Sequence, residues 1–269
     1  MTHEDIEATK APLMDHLIEL RTRLIRSLAA FLVMFVVFFY FAKDIYNLLL
    51  VPLQRAGSKE AIFTAPQEFF FTQVRVAMFA AAFVACPVIF WQIYAFVAPG
   101  LYKHERKAFA PYLVATPIFF GLGALLVYFV VMPNLLIFFS GMQQANEPGR
   151  IDIKLLPRVS EYLGLIMTLI FAFGITFQMP VILTLLGQIG VIDSGFLKQR
   201  RRYAWVLVFI VAALLTPPDV FSMMALAVPG MLLYELSIFA VRSLEKQREK
   251  ERAKEAAKSG PGPTNAVKT

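Results

Sequence analysis

From Ala108 to Asn146 the chain runs 39 residues without one Asp, Glu, Lys, Arg or His. A surface helix of a soluble protein needs a polar side, and this run has none to offer. A helix needs only about 20 apolar residues to cross the ~30 Å hydrocarbon core of a bilayer. Five further uncharged runs cover 27–42, 76–102, 162–192, 203–218 and 220–234. Charged side chains make up 17% of the chain and hydrophobic ones 58%, against about 25% and 45–50% in soluble domains. The pattern predicts an all-α integral membrane protein with six transmembrane helices.

The runs differ in reach. Those at 76–102, 108–146 and 162–192 are long enough to span. The run at 27–42 lengthens because Arg26 can snorkel and 45–53 continues apolar after Lys43 and Asp44. The last two are joined by Thr216-Pro217-Pro218-Asp219, and paired prolines do not continue a helix. Sixteen residues at ~1.5 Å each reach about 24 Å, so helices five and six are expected to form a short hairpin that thins the bilayer. Flanking residues 237–241 offer the alternative of restoring the length. The division expected is an amphipathic N-terminal segment at 1–26, a membrane domain at 27–241 and a charged, largely disordered tail at 242–269.

Charge sets the orientation. Six spans place 1–26, 99–107, 193–202 and 242–269 on one side, with 19 Lys and Arg between them; the other side holds 7. Short loops rich in Lys and Arg stay cytoplasmic, so both termini are expected inside. The net charge of +7 lies in clusters beside apolar runs, with no separate basic face for nucleic acid. The lone Cys86 excludes an internal disulfide and is expected to be a small buried hydrophobe. The N-terminus is acidic where a secretory leader is basic, and no small-residue cleavage site follows the first run; it is expected to be mature sequence.

The sequence offers no enzymatic constellation. His3, His16 and His104 all fall outside the runs, away from any intramembrane serine. No GxxxxGK[ST] loop occurs, no Cys/His set has metal-ligand spacing, and no cofactor or metal is expected. A proton- or solute-coupled secondary transporter, the main alternative, normally carries ionisable groups at mid-membrane; spans two to five have none. Nor do the first three spans repeat in the last three. An insertase-like scaffold is a more distant alternative.

The chemistry is at the edges. Leu13, Leu17, Leu20 and Leu24 recur at helical spacing, predicting an amphipathic helix along the interface into span one. Glu19 lies off that stripe, four residues before Arg23, where a simple i,i+4 pair is worth about 0.3–0.5 kcal/mol. Glu105 is enclosed by Lys103, Arg106 and Lys107, cations that hold the loop in the cytoplasm and favour the ionised carboxylate.

HLIELRTRL (16–24), YFAKDIY (40–46), FVAPGLYKHERK (96–107), YFVVMP (128–133), FAFGITFQMP (171–180) and LLTPPDVFS (214–222) together resemble the TatC family, the multispanning subunit of the twin-arginine protein translocase. The match runs in family order over about residues 13–242. The resemblance implies a concave, glove-like fold in a bacterial inner membrane. It also implies a receptor for folded proteins whose signal peptides carry two consecutive arginines. Single-span TatA and TatB subunits would be its partners, within a homo-oligomeric complex driven by the proton-motive force. In this family the glutamates matching Glu19 and Glu105 bind the twin arginines. A guanidinium offers a planar donor fork that fits a carboxylate, so two arginines call for two acids.

The same resemblance gives Phe96, Leu101 and Tyr102, with Pro99, to the recognition loop, where Phe96 and Leu101 would take the apolar part of the peptide. Arg21 is expected to orient the peptide or meet lipid headgroups. Pro52 and Pro87 match helix-distorting prolines. Gln178 stands where many relatives carry glutamate; it cannot titrate, and with Thr176 and Thr216 it would give a polar contact to TatA or TatB or bond helices together. Asp219 is expected to cap span six or touch a partner. Thr64-Ala65-Pro66-Gln67 reads as a capping box for a short interfacial helix.

Overall fold

The computed structural model describes residues 3–57, 60–97, 110–143, 155–216 and 218–258. The chain passes back and forth as α1 (His3–Tyr40), α3 (Glu68–Val97), α4 (Ala110–Leu126) with α5 (Met132–Ser140), α6 (Val159–Thr176) with α7 (Met179–Gln188), α9 (Arg201–Leu215) and α10 (Val220–Lys258). Two shorter helices, α2 (Ala42–Arg55) and α8 (Ser194–Gln199), sit at opposite ends. Neighbouring passes are antiparallel. His16 of α1 meets Phe96 of α3 at one end, while Tyr46 of α2 meets Phe69 of α3 at the other. Among the described residues, five stretches of 25 to 31 residues are long and apolar enough to cross a membrane; α9, with 15 residues, is shorter.

No Gly or Pro interrupts Leu13 to Tyr40, so α1 is one continuous helix and its Leu17, Leu20 and Leu24 remain exposed. Helix six is not short. α10 continues through buried Ser237, Ile238 and Val241 to Lys258. Glu235 ended the uncharged run, but its carboxylate accepts a hydrogen bond from Arg201 Nη2 at 2.6 Å. A paired acid costs the helix far less than a free one. The first part of the tail is therefore helix, and it docks: Glu245 accepts from Ser194 N and Oγ at 2.7 and 2.6 Å, and Arg248 donates to the Gly187 carbonyl at 3.3 Å. Residues 259–269 lie outside the described residues. Cys86 is half-buried in α3 rather than enclosed.

Pro52 lies inside α2, where its missing N–H leaves the Leu48 carbonyl without a helical partner. Tyr128, in a π-helical segment (Val127–Val131) between α4 and α5, donates to that carbonyl at 2.8 Å. Tyr162 of α6 donates to the adjacent Leu49 carbonyl at 3.0 Å. A bare carbonyl in an apolar setting is costly, so two tyrosines on other passes tie the distorted helix down. Tyr162→Phe is expected to cost about 1–3 kcal/mol, because Tyr162 is only 5% exposed. Tyr128→Phe, at an exposed hydrogen bond, is expected to cost less. Parallel thermal unfolding of the two variants in detergent checks the order.

The core centres on α6, whose Leu163, Ile166, Leu169 and Phe173 are fully enclosed, together with Met132 and Leu135 of α5. Small residues let α4 and α6 approach closely. A Cβ on Gly123 would lie 2.9 Å from the Phe173 carbonyl carbon, and one on Gly174 would lie 2.5 Å from the Phe120 ring.

Candidate functional site

The HLIELR stretch sits in uninterrupted helix, so residues three and four apart share a face. His16 and Glu19 adjoin, and Arg23 follows one turn on. Both Nε and Nη2 of Arg23 donate to one oxygen of Glu19, the Nε bond at 2.9 Å. The two side chains are 20% and 32% exposed, Arg23 being the more covered. Arg21, two residues from Glu19, emerges on the other side of the helix and is exposed. The His16 ring stacks on Phe96 with centroids 4.3 Å apart and planes inclined by 25°.

That stack matters because Phe96 lies in the last turn of α3, immediately before the loop that carries Glu105. The turn bearing Glu19 and the root of that loop are thus held at one end of the molecule. Glu105, Leu101 and Tyr102, with Pro99, lie outside the described residues. His16 was not singled out in the sequence. Its position at the head of the HLIELR motif was the available signal.

A second polar group lies within the bundle. α6 breaks at Phe177 and Gln178, just before Pro180, and Gln178 is 2% exposed. Its Nε2 donates to the Thr116 carbonyl at 2.9 Å. Thr116 Oγ1 donates to the Tyr112 carbonyl at 2.8 Å and lies 3.1 Å from the Tyr94 hydroxyl. Thr176 and Thr216 turn their hydroxyls to the Ala172 and Ala212 carbonyls of their own helices at 2.7 and 2.9 Å. All three side chains thus donate inside the protomer, while Gln178 Oε1 is buried without a hydrogen-bond partner. Asp219 caps α10, its Oδ1 accepting from Ser222 N at 2.7 Å. Pro87 lies inside α3, as Pro52 does in α2.

The densest ionic cluster was missed entirely. Glu68, 7% exposed, opens α3. Its carboxylate accepts from Arg158 Nε and Nη2 at 3.0 and 3.2 Å and from the Ser160 hydroxyl. It also accepts from Thr64 N at 2.9 Å, Thr64 Oγ1 at 3.1 Å and Ala65 N at 3.3 Å. Beside it Ile62 and Arg158 form an isolated parallel bridge. Residues 60–67 hold no helix, so the short interfacial helix expected at Thr64–Gln67 is absent. The acid that reaches back is Glu68, one position later, and the helix it caps is α3 itself. A lone glutamate before three phenylalanines, with an arginine opening another apolar run, was the signal available.

Taken together, these features define a multi-pass helical membrane protein whose charged side chains, among the described residues, flank its long apolar helical stretches. Residues 15–229 match the protein family described as Sec-independent protein translocase protein (TatC). The chain is 46% identical over 246 residues to the Sec-independent protein translocase protein TatC of Magnetococcus marinus, covering 91% of this chain and 88% of that one. It is 39% identical to the protein of the same name from Escherichia coli (strain K12), covering 86% and 88%. A solved crystal structure described as the twin arginine translocase receptor TatC superposes with a TM-score of 0.73 at 37% identity, covering 84% of this chain and 98% of that one. The chain belongs to the TatC family. It is a component of a Sec-independent, twin-arginine protein translocase, a protein-transport function.

Proposed function

We propose that this chain is the receptor subunit that takes up the twin-arginine signal peptide of folded proteins, with Glu19 and Glu105 each accepting one guanidinium. It lies in the bacterial inner membrane with both termini in the cytoplasm, in keeping with the 19-to-7 distribution of Lys and Arg. α9 then serves as the fifth of six spans, its 15 residues reaching about 22 Å and thinning the bilayer around it. TatA and TatB assemble on this subunit, within a homo-oligomeric complex, to carry cargo across under the proton-motive force. Gln178 could meet such a partner through its buried Oε1, which accepts no hydrogen bond, and the hydroxyls of Thr176 and Thr216 keep acceptor capacity while donating to their own helices.

The observation that supports the receptor reading most is the His16–Phe96 stack, which anchors the root of the Glu105 loop one helical turn from Glu19. A charge-assisted hydrogen bond contributes about 1.5–3 kcal/mol, so losing either carboxylate should weaken binding about tenfold or more. The test measures affinity of a fluorescent twin-arginine peptide for the purified full chain, alongside Glu19→Gln and Glu105→Gln. A lysine-pair peptide should bind worse than the arginine pair, since an ammonium lacks the fork. Unchanged affinity in both variants would retire the carboxylate clamp.

A further inference from the structure

The carboxylate offered to the signal peptide is already occupied. Arg23 presents the Nε–Nη2 edge of its guanidinium to a single oxygen of Glu19, using the same donors that an arriving arginine would bring. Both groups lie on one continuous helix at i and i+4, and both are partly covered. We propose that Arg23 is the resident occupant of this arginine site, so that the peptide binds by exchanging one guanidinium for another. This inference rests on the receptor reading of Glu19.

The exchange has a quantitative consequence. Each hydrogen bond made to the ligand at that oxygen is matched by one broken to Arg23, so part of what the first arginine gains is offset. An internal competitor divides the affinity of every ligand by one plus the closure constant of the internal pair. Helix-surface pairs of this spacing close with a constant of order unity or a few. Arg23 therefore raises the threshold for binding without changing the ratio between ligands. A peptide with a single arginine stays below that threshold. A second arginine and the apolar part of the peptide must supply the surplus, and linking them makes the later contacts intramolecular.

The test is peptide affinity at physiological salt for the full chain and for Arg23→Gln, Arg23→Lys, Arg26→Gln and the Glu19→Gln/Arg23→Gln pair. Arg23→Gln should tighten twin-arginine and single-arginine peptides alike, by roughly two- to fivefold, and Arg23→Lys by less, since the ammonium keeps the charge but lacks the fork. Arg26→Gln removes an equal charge from the same helix and should gain little, because at ~8 Å Debye length its repulsion is largely screened. In the Glu19→Gln background the Arg23→Gln gain should vanish. Equal gains at Arg23 and Arg26, no gain at Arg23, or a gain that survives without Glu19 would each overturn the exchange. If Glu19→Gln and Glu105→Gln both leave affinity unchanged, the receptor reading itself fails; if Glu19→Gln alone leaves it unchanged, or weakens it while Arg23→Gln gains nothing, only the exchange does.

Discussion

Glu68→Ala is expected to lower the thermal midpoint of the purified protein more than loss of any other ionic contact described here, by on the order of 5 °C. The carboxylate gathers donors from three places along the chain: the turn at Thr64 and Ala65, Arg158, and Ser160. Removing it frees two backbone N–H groups and two hydroxyls at once; exposed Thr64 can turn to water, while the partly covered Ala65 and Ser160 lose more. It also leaves Arg158 with Glu161 alone, at 3.4 Å. Water softens that part of the loss, since the Arg158 side chain is 38% exposed. Arg158→Ala should be milder, because the carboxylate keeps Ser160, Thr64 and Ala65. Equal midpoints for wild type and Glu68→Ala would show that the cluster adds nothing to the fold. Beyond stability, the cluster joins the segment before α3 to the segment before α6, 90 residues apart in sequence, at the end of the bundle opposite Glu19.

Gly123→Ala is the second large expectation. The added methyl would meet the Phe173 carbonyl carbon and oxygen at 2.9 Å and Gly174 N at 3.0 Å. Those are backbone atoms of a fully packed helix, and no rotamer change moves them aside. Forcing α4 and α6 apart should cost about 1–3 kcal/mol, and a larger side chain more, as the Phe120 ring already fills the reciprocal space over Gly174. Gly121 supplies the control. It lies two residues earlier on the same helix with nothing within 4 Å of its Cβ position. Gly121→Ala should be neutral or slightly stabilising, since alanine favours helix. The idea of a close α4–α6 seam would be lost if both alanine variants melted together.

Much of the architecture was legible before any coordinates. The charge-free runs located every pass, and the prolines at 217 and 218 separated α9 from α10. The capping role of Asp219 was written in its position before an apolar run. What misled was the treatment of single charges as ends. Glu235 ended a run on paper, yet α10 continues because Arg201, 34 residues away, pairs with it. Thr64 was matched with Gln67, while Glu68 holds it. Leu17, Leu20 and Leu24 read as an exposed apolar stripe, and exposed they are, on a helix that continues unbroken into the first apolar run. In the candidate site, Glu19 and its proximity to Arg23 were visible; the stacking of His16 on Phe96 of α3 was not.

By itself the sequence determined the membrane class, the order of the long apolar helices and the motifs of the family. These follow from transfer free energies and spacings that each residue carries wherever its neighbours are. The tertiary structure alone decided which charges are neutralised, which carbonyls freed by proline find a tyrosine, and which way Gln178 turns. Those outcomes depend on meeting a particular atom from a distant part of the chain within about 3 Å, and no local pattern encodes that encounter.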